Sequence, residues 1–106
     1  MEIEFVSPET VRDWIEAGEA VVVDVREEHE YAAAHIEGST LVPLSRFDPA
    51  LIPPSDGKRL VLHCLSGVRC GHAAGHLQGS GLDIVYRMIG GIAGWKQMGG
   101  PLRTPS

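Results

Sequence analysis

Cysteine is scarce in this chain, with one residue at position 64 and one at position 70. Two thiols are too few for the disulfide framework that staples small secreted domains, so each is either buried filler or reactive. Basic residues are also few: nine against fourteen acidic ones, for a net charge of −5. That balance argues against nucleic acid or an anionic membrane as the main partner. No apolar run approaches the length of a membrane span, and the opening Met1-Glu2-Ile3-Glu4-Phe5 lacks the basic start of a signal peptide. The expectation is a cytoplasmic protein without membrane contact. Internal repeats, low-complexity tracts and linkers are absent as well. What remains is 106 residues, 43% hydrophobic and 22% charged, the composition of one globular domain with a single modest core. Residues 1–106 are read as that one domain, with 99–106 as a loose tail.

The chain alternates strand-like and helix-like stretches. Ile3 to Val6 reads as a strand. Ser7 then offers a cap oxygen, Pro8 suits a first helical position and Glu9 complements the helix dipole. Val11, Trp14 and Ile15 give that helix one apolar face, and Gly18 closes it. Ala20 to Val25 is the clearest strand, β-branched and nearly all apolar, as expected of a central parallel position. Glu27 to Ala34 predicts a short helix, Ser39 to Leu44 a brief extended piece, and Arg46 to Lys58 a turn-rich connection broken by three prolines and Gly57. Leu60-Val61-Leu62 is a buried strand, Cys70 to Gly79 a helix, Ile84 to Tyr86 a strand and Ile92 to Met98 a last helix after the Gly90-Gly91 turn. Such alternation predicts an α/β domain with a mostly parallel central sheet and helices on both faces. In that architecture the functional crevice lies beyond the carboxyl ends of the strands, where Asp24 and Cys64 fall.

Cys64 is the leading candidate for chemistry. A strand that stops on a cysteine, followed by a small loop and a helix start, makes an anion site from converging backbone N–H groups and the helix dipole. Arg69 adds fixed positive charge, and a thiol in that field ionises more readily than a free one. The backbone N–H groups of Leu65, Ser66, Gly67 and Val68 are the expected cradle, with Gly67 best able to adopt positive φ.

The segment C-L-S-G-V-R from Cys64 to Arg69 resembles the active-site loop of the rhodanese family of sulfurtransferases. D-V-R-E-E-H-E-Y-A-A-A-H-I-E-G, Asp24 to Gly38, is similar to that family's D-x-R-x-x-x-E-Y-x-x-G-H-I-x-G stretch. G-G-I-A-G-W, Gly90 to Trp95, resembles its G-G-x-x-x-W ending. The three motifs lie in the right order for one single-domain member and cover nearly the whole chain. The resemblance implies a three-layer rhodanese-like fold and thiosulfate sulfurtransferase activity without a cofactor. In it Cys64 takes the outer sulfur of a donor such as thiosulfate as a persulfide, and cyanide, a thiol or a sulfur-accepting protein removes it. Leu65 stands where the family often has a basic residue, which makes the mouth more apolar. Ala34 replaces a family glycine, which is expected to alter the local turn.

Cys70 stands where relatives carry a small serine or alanine. It is either a small buried substitute or a resolving thiol that captures a persulfide or sulfenate on Cys64 as a disulfide. Asp24, Arg26 and Glu30 are read as structural: Asp24 accepts backbone N–H bonds, while Arg26 and Glu30 tie helix to sheet as an ion pair or cap. His35 and Gly38 belong to the same scaffold. His72 and His76 lie at i, i+4 without a convincing further ligand, so they are read as solvent-facing and no metal is expected. His63 should point away from Cys64, on the other face of its strand, and Trp14 and Trp95 form core or crevice wall. Two other functions compete. One is a non-catalytic rhodanese-like binding module, which the retained cysteine disfavours. The other is a cysteine-dependent phosphatase or arsenate reductase, disfavoured because only four residues separate Cys64 from Arg69.

Overall fold

The two most aliphatic stretches, β2 (Ala20–Asp24) and β5 (Arg59–His63), lie side by side in parallel, with Val22 opposite Val61 and Asp24 opposite His63. This computed structural model describes residues 1–65 and 68–105, and of Val68 the backbone alone. Around that pair a five-stranded, wholly parallel sheet is built in the order β1-β6-β5-β2-β4, where β1 is Glu2–Val6, β4 Thr40–Leu41 and β6 Ile84–Met88. Parallel strands need crossovers, and the segments that follow β1, β5 and β6 each pack a helix on the sheet.

One face is covered by α1 (Pro8–Glu16) and α4 (Gly91–Gln97). Val11 and Trp95 pack there against Val6, Val22, Val61 and Met88. The other face is covered by α3 (Val68–His76), whose Cys70, Ala73 and Ala74, with Leu77 just beyond its end, meet Val23, Leu60, Leu62 and Val85. Small side chains at 73 and 74 let the helix settle close to the strands. The helix α2 (Glu28–Ala33) buries no residue and sits at the sheet's carboxyl edge.

Several boundaries differ from expectation. The helix expected to begin at Cys70 begins at Val68, so Arg69 and Cys70 both lie in its first turn. The piece 39–44 shortens to β4 before a 3₁₀ turn, Leu44–Arg46, because Pro43 cannot donate to a ladder. The tail is not loose through its length. Gly99 follows α4, Gly100 packs on the Trp95 ring, Trp95 Nε1 donates to the Pro101 carbonyl at 2.9 Å, and β7 (Leu102–Arg103) pairs antiparallel with β3 (His35–Ile36). Trp95 is thus core, and it fastens the residues that follow it.

Candidate functional site

Alternation along β5 decides which side chains meet. Leu60, Leu62 and Cys64 point toward α3, while Val61 and His63 point to the opposite face. Cys64 is buried, and its thiol lies within hydrogen-bond range of the Cys70 thiol, also buried, from the first turn of α3. That hydrogen bond, and then burial, push the Cys70 thiol well above the ordinary cysteine range, while Arg87 from β6 pulls it down. Leu65, next in the chain, is 49% exposed and gives the site an apolar lip. Ser66 and Gly67 lie outside the described residues, so the expected N–H cradle is described only at its flanks.

Arg69 turns its guanidinium to α2. Its Nη2 donates to Glu30 Oε2 at 2.8 Å and its Nη1 to Oε1. Glu30 Oε1 also accepts from the Glu27 backbone N–H at 3.0 Å, so one carboxylate caps α2 and anchors α3. Arg69's hydrogen bond holds the Glu30 carboxyl down to about 2, and Glu30 in turn raises Arg69, with the charge of Cys64 a smaller contribution in the same direction. Of the ion pair or cap expected of Arg26 and Glu30, Glu30 takes the cap on α2, while the ion pairs join Glu30 to Arg69 and Arg26 to Asp24. Arg26 bonds Asp24, with Nη2 2.8 Å from Oδ2 and Nε 3.0 Å from Oδ1, and sends Nη2 on to the Ala34 carbonyl at 2.6 Å. Asp24 Oδ1 also accepts the Arg26 backbone N–H at 2.9 Å. Both residues are buried, and the pair locks the end of β2 to the end of α2.

Ala34 itself has φ −167°, an extended backbone that alanine adopts freely, so its position does not require glycine. Gly38, at φ +86°, does occupy a conformation that favours glycine. Between them Tyr31 stacks on His35, its hydroxyl donating to the Ser39 carbonyl at 2.7 Å.

Behind the site, His63 is fully buried with Nε2 3.6 Å from Asp24 Oδ2, too far for a hydrogen bond, and Nδ1 3.4 Å from the Cys64 carbonyl. Burial lowers its pKa and outweighs Asp24, whose charge is already met by Arg26. The imidazole is neutral. The same Cys64 carbonyl accepts the Ile92 N–H at 2.8 Å, and the Leu65 carbonyl accepts Ala93 N–H at 3.4 Å, so α4 grips the Cys64 backbone from its own first turn. Gly91 makes this approach possible. It sits at φ +56°, and a Cβ there would stand 2.2 Å from the Cys64 carbonyl oxygen.

His72 and His76 are exposed on α3, His76 stacking on Phe47. Among the described residues no group of three or more His, Cys, Asp or Glu is placed to hold a metal ion. Arg87 was missed in the sequence. It reads as an ordinary strand residue, yet it shares a sheet face with Val85, which α3 covers, and a cation on a covered face was the available signal.

A cysteine at the carboxyl end of a central parallel strand, backed by a helix that starts beside it and an arginine in that helix's first turn, defines a cysteine-centred α/β domain. More particularly, the chain belongs to the rhodanese-like domain family, whose model matches residues 7–98. It is 35% identical over 96 residues to an uncharacterized protein, slr1261, of Synechocystis, covering 91% of this chain and 54% of that one. It is 32% identical to a probable adenylyltransferase/sulfurtransferase, MoeZ, of Mycobacterium tuberculosis, covering 88% of this chain and 25% of that one. Relatives named tRNA uridine(34) hydroxylase include one from Xanthomonas euvesicatoria, 31% identical across 90% of this chain and 44% of its own. This chain thus spans about half or less of these relatives. The crystal structure of a rhodanese-related protein from Thermoplasma volcanium superposes with a TM-score of 0.82 at 28% identity, covering 96% of this chain and 99% of that one.

Proposed function

We propose that this protein is a sulfurtransferase that carries sulfane sulfur as a persulfide on Cys64. The observation that carries this reading is the seat of the Cys64 thiol, at the carboxyl end of β5 beside the first turn of α3, within the field of Arg69. The Cys64 thiolate attacks the outer sulfur of a donor such as thiosulfate, and sulfite leaves with the electron pair of the broken S–S bond. Cyanide or a thiol then takes the outer sulfur and returns the thiolate, so one transfer becomes two easier displacements. No cofactor is needed, because each half-reaction exchanges one sulfur nucleophile for another. The N–H groups of residues 65–68 stabilise the terminal persulfide anion, and Arg69 holds α3 in place for them through Glu30. The apolar Leu65 lip favours a donor or acceptor with an uncharged flank, including a thiol on a partner protein.

Intact mass after incubation with sodium thiosulfate tests the reading. Cys70→Ser, which keeps Cys64 as the sole thiol, gains one sulfur, Cys64→Ser gains none, and cyanide removes the gain as thiocyanate. Absence of an adduct with both thiosulfate and polysulfide would overturn it. Phosphoryl chemistry is disfavoured by the short spacing from Cys64 to Arg69, and the expected turnover of an aryl phosphate is nil.

A further inference from the structure

Sulfur transfer through Cys64 leaves Cys70 unused, yet its surroundings are more specific than a small buried filler requires. Cys70 packs in one buried cluster with Cys64, and its thiol hydrogen-bonds the Cys64 thiol and the guanidinium of Arg87 from β6. Arg87 is seated by two further contacts. Its Cζ lies 4.8 Å from the centre of the Phe5 ring, and Gly71 leaves it room against α3, where a Cβ would stand 2.8 Å from Nη2. A second thiol and a fixed cation are thus assembled behind the nucleophile, at 1% exposure for Cys70.

We propose that Cys70 resolves the Cys64 persulfide, forming a Cys64–Cys70 disulfide and expelling the carried sulfur as hydrosulfide, with Arg87 holding the attacking thiolate. The inference rests on the sulfurtransferase reading above. The Cys70 proton passes to the terminal persulfide sulfur. The Cys70 sulfur then bonds to Cys64 Sγ, the bond from Sγ to the terminal sulfur breaks, and that sulfur leaves with the electron pair as HS⁻. Cys70 sulfur is oxidised, the departing sulfur is reduced and Cys64 Sγ is unchanged. A dithiol reductant then returns the pair to two thiols by ordinary exchange.

Loading itself arms the step. Before sulfur arrives, a Cys64 thiolate accepts the Cys70 S–H and keeps that proton in place. Once Sγ carries sulfur it is no longer an anion, so this hold is lost while Arg87 remains. Cys70 packs behind Cys64 in the same core cluster, from the first turn of α3, and so meets the sulfur that Cys64 carries.

The test compares wild type, Cys70→Ser and Cys70→Ala after loading with sodium thiosulfate and desalting away donor and thiols. Both Cys70 variants should retain the added sulfur. The wild type should release one sulfide per chain, detected as methylene blue, and lose two hydrogens relative to its reduced mass. Fragmentation should place the crosslink between residues 64 and 70, and dithiothreitol should reverse it. Arg87→Met should slow sulfide release relative to loading by about tenfold. A wild type that keeps its sulfur as Cys70→Ser does would overturn the resolving role and leave the sulfurtransferase reading standing. No sulfur gain on the Cys70 variants would overturn both.

Discussion

Arg69 and Glu30 are 39 residues apart in the chain and meet as a two-pronged ion pair, Nη2 to Oε2 at 2.8 Å. The pair ties the first turn of α3, one residue from Cys70, to the helix that follows β2. Parallel N–H···O bonds of this kind fix orientation as well as proximity. Positioning of α3 beside Cys64 therefore depends on Glu30, a residue of another helix.

Glu30→Gln should accordingly lower stability at neutral pH by about 1 kcal/mol, since the pair is partly open to solvent and screened. The folded Glu30 carboxyl, at about 2, lies below its usual 4.5, so its contribution is present above 4.5 and is lost as pH falls toward 2. Denaturant unfolding of both proteins across pH should show curves that separate at neutrality and converge in acid. A constant gap down to pH 2 would refute the linkage.

Asp24→Asn leaves the Arg26 guanidinium buried without its counter-charge. The cost should be about 3–5 kcal/mol, several times that at the exposed Arg59–Glu19 pair. Thermal unfolding of Asp24→Asn beside Glu19→Gln measures the contrast directly.

His63 should make the protein acid-sensitive near neutrality. Its folded pKa lies below 6.5, so under that pH the unfolded chain takes up a proton that the folded chain refuses. Stability then falls as pH drops below 6.5, and His63→Gln should flatten that part of the curve. An unchanged slope in the variant would show that another group titrates there.

How much of this was legible beforehand differs by residue. β2 and β5 declared themselves through aliphatic runs, and the Ser7-Pro8-Glu9 start of α1 through local cap chemistry, with Ser7 Oγ accepting the Thr10 N–H. The seat of Cys64 at a strand's carboxyl end followed from the same runs. The ion-pair partners did not, because Arg26 could reach either carboxylate in sequence and only tertiary distance chooses Asp24. β7 escaped notice since two residues carry no period, and its partner, β3, lies 66 residues away from it, Ile36 to Leu102. The Cys64–Cys70 contact depends on where α3 starts, and it starts at Val68, two residues before the start read from the sequence.

Gly91→Ala should test the grip of α4 on the site. The added methyl meets the Cys64 carbonyl and the backbone leaves a favourable region, costing about 1–3 kcal/mol. Sulfur loading should fall by at least about tenfold, more than stability loss alone explains, because the nucleophile's own carbonyl is displaced. Loading at the wild-type rate in a folded Gly91→Ala protein would show that this grip is dispensable.

The strand order carries a consequence for synthesis. β1 emerges first but its strand partner among the described residues is β6, and the amide that holds the Cys64 carbonyl comes from residue 92. On the ribosome, Cys64 therefore precedes both its neighbouring strand and its backbone clamp by an interval on the order of seconds. During that interval Ile3 and Phe5 lack their strand partner, and Cys64 is a chain thiol with no site around it. The backbone clamp on Cys64 is thus complete only after residue 92 has emerged and α4 has docked.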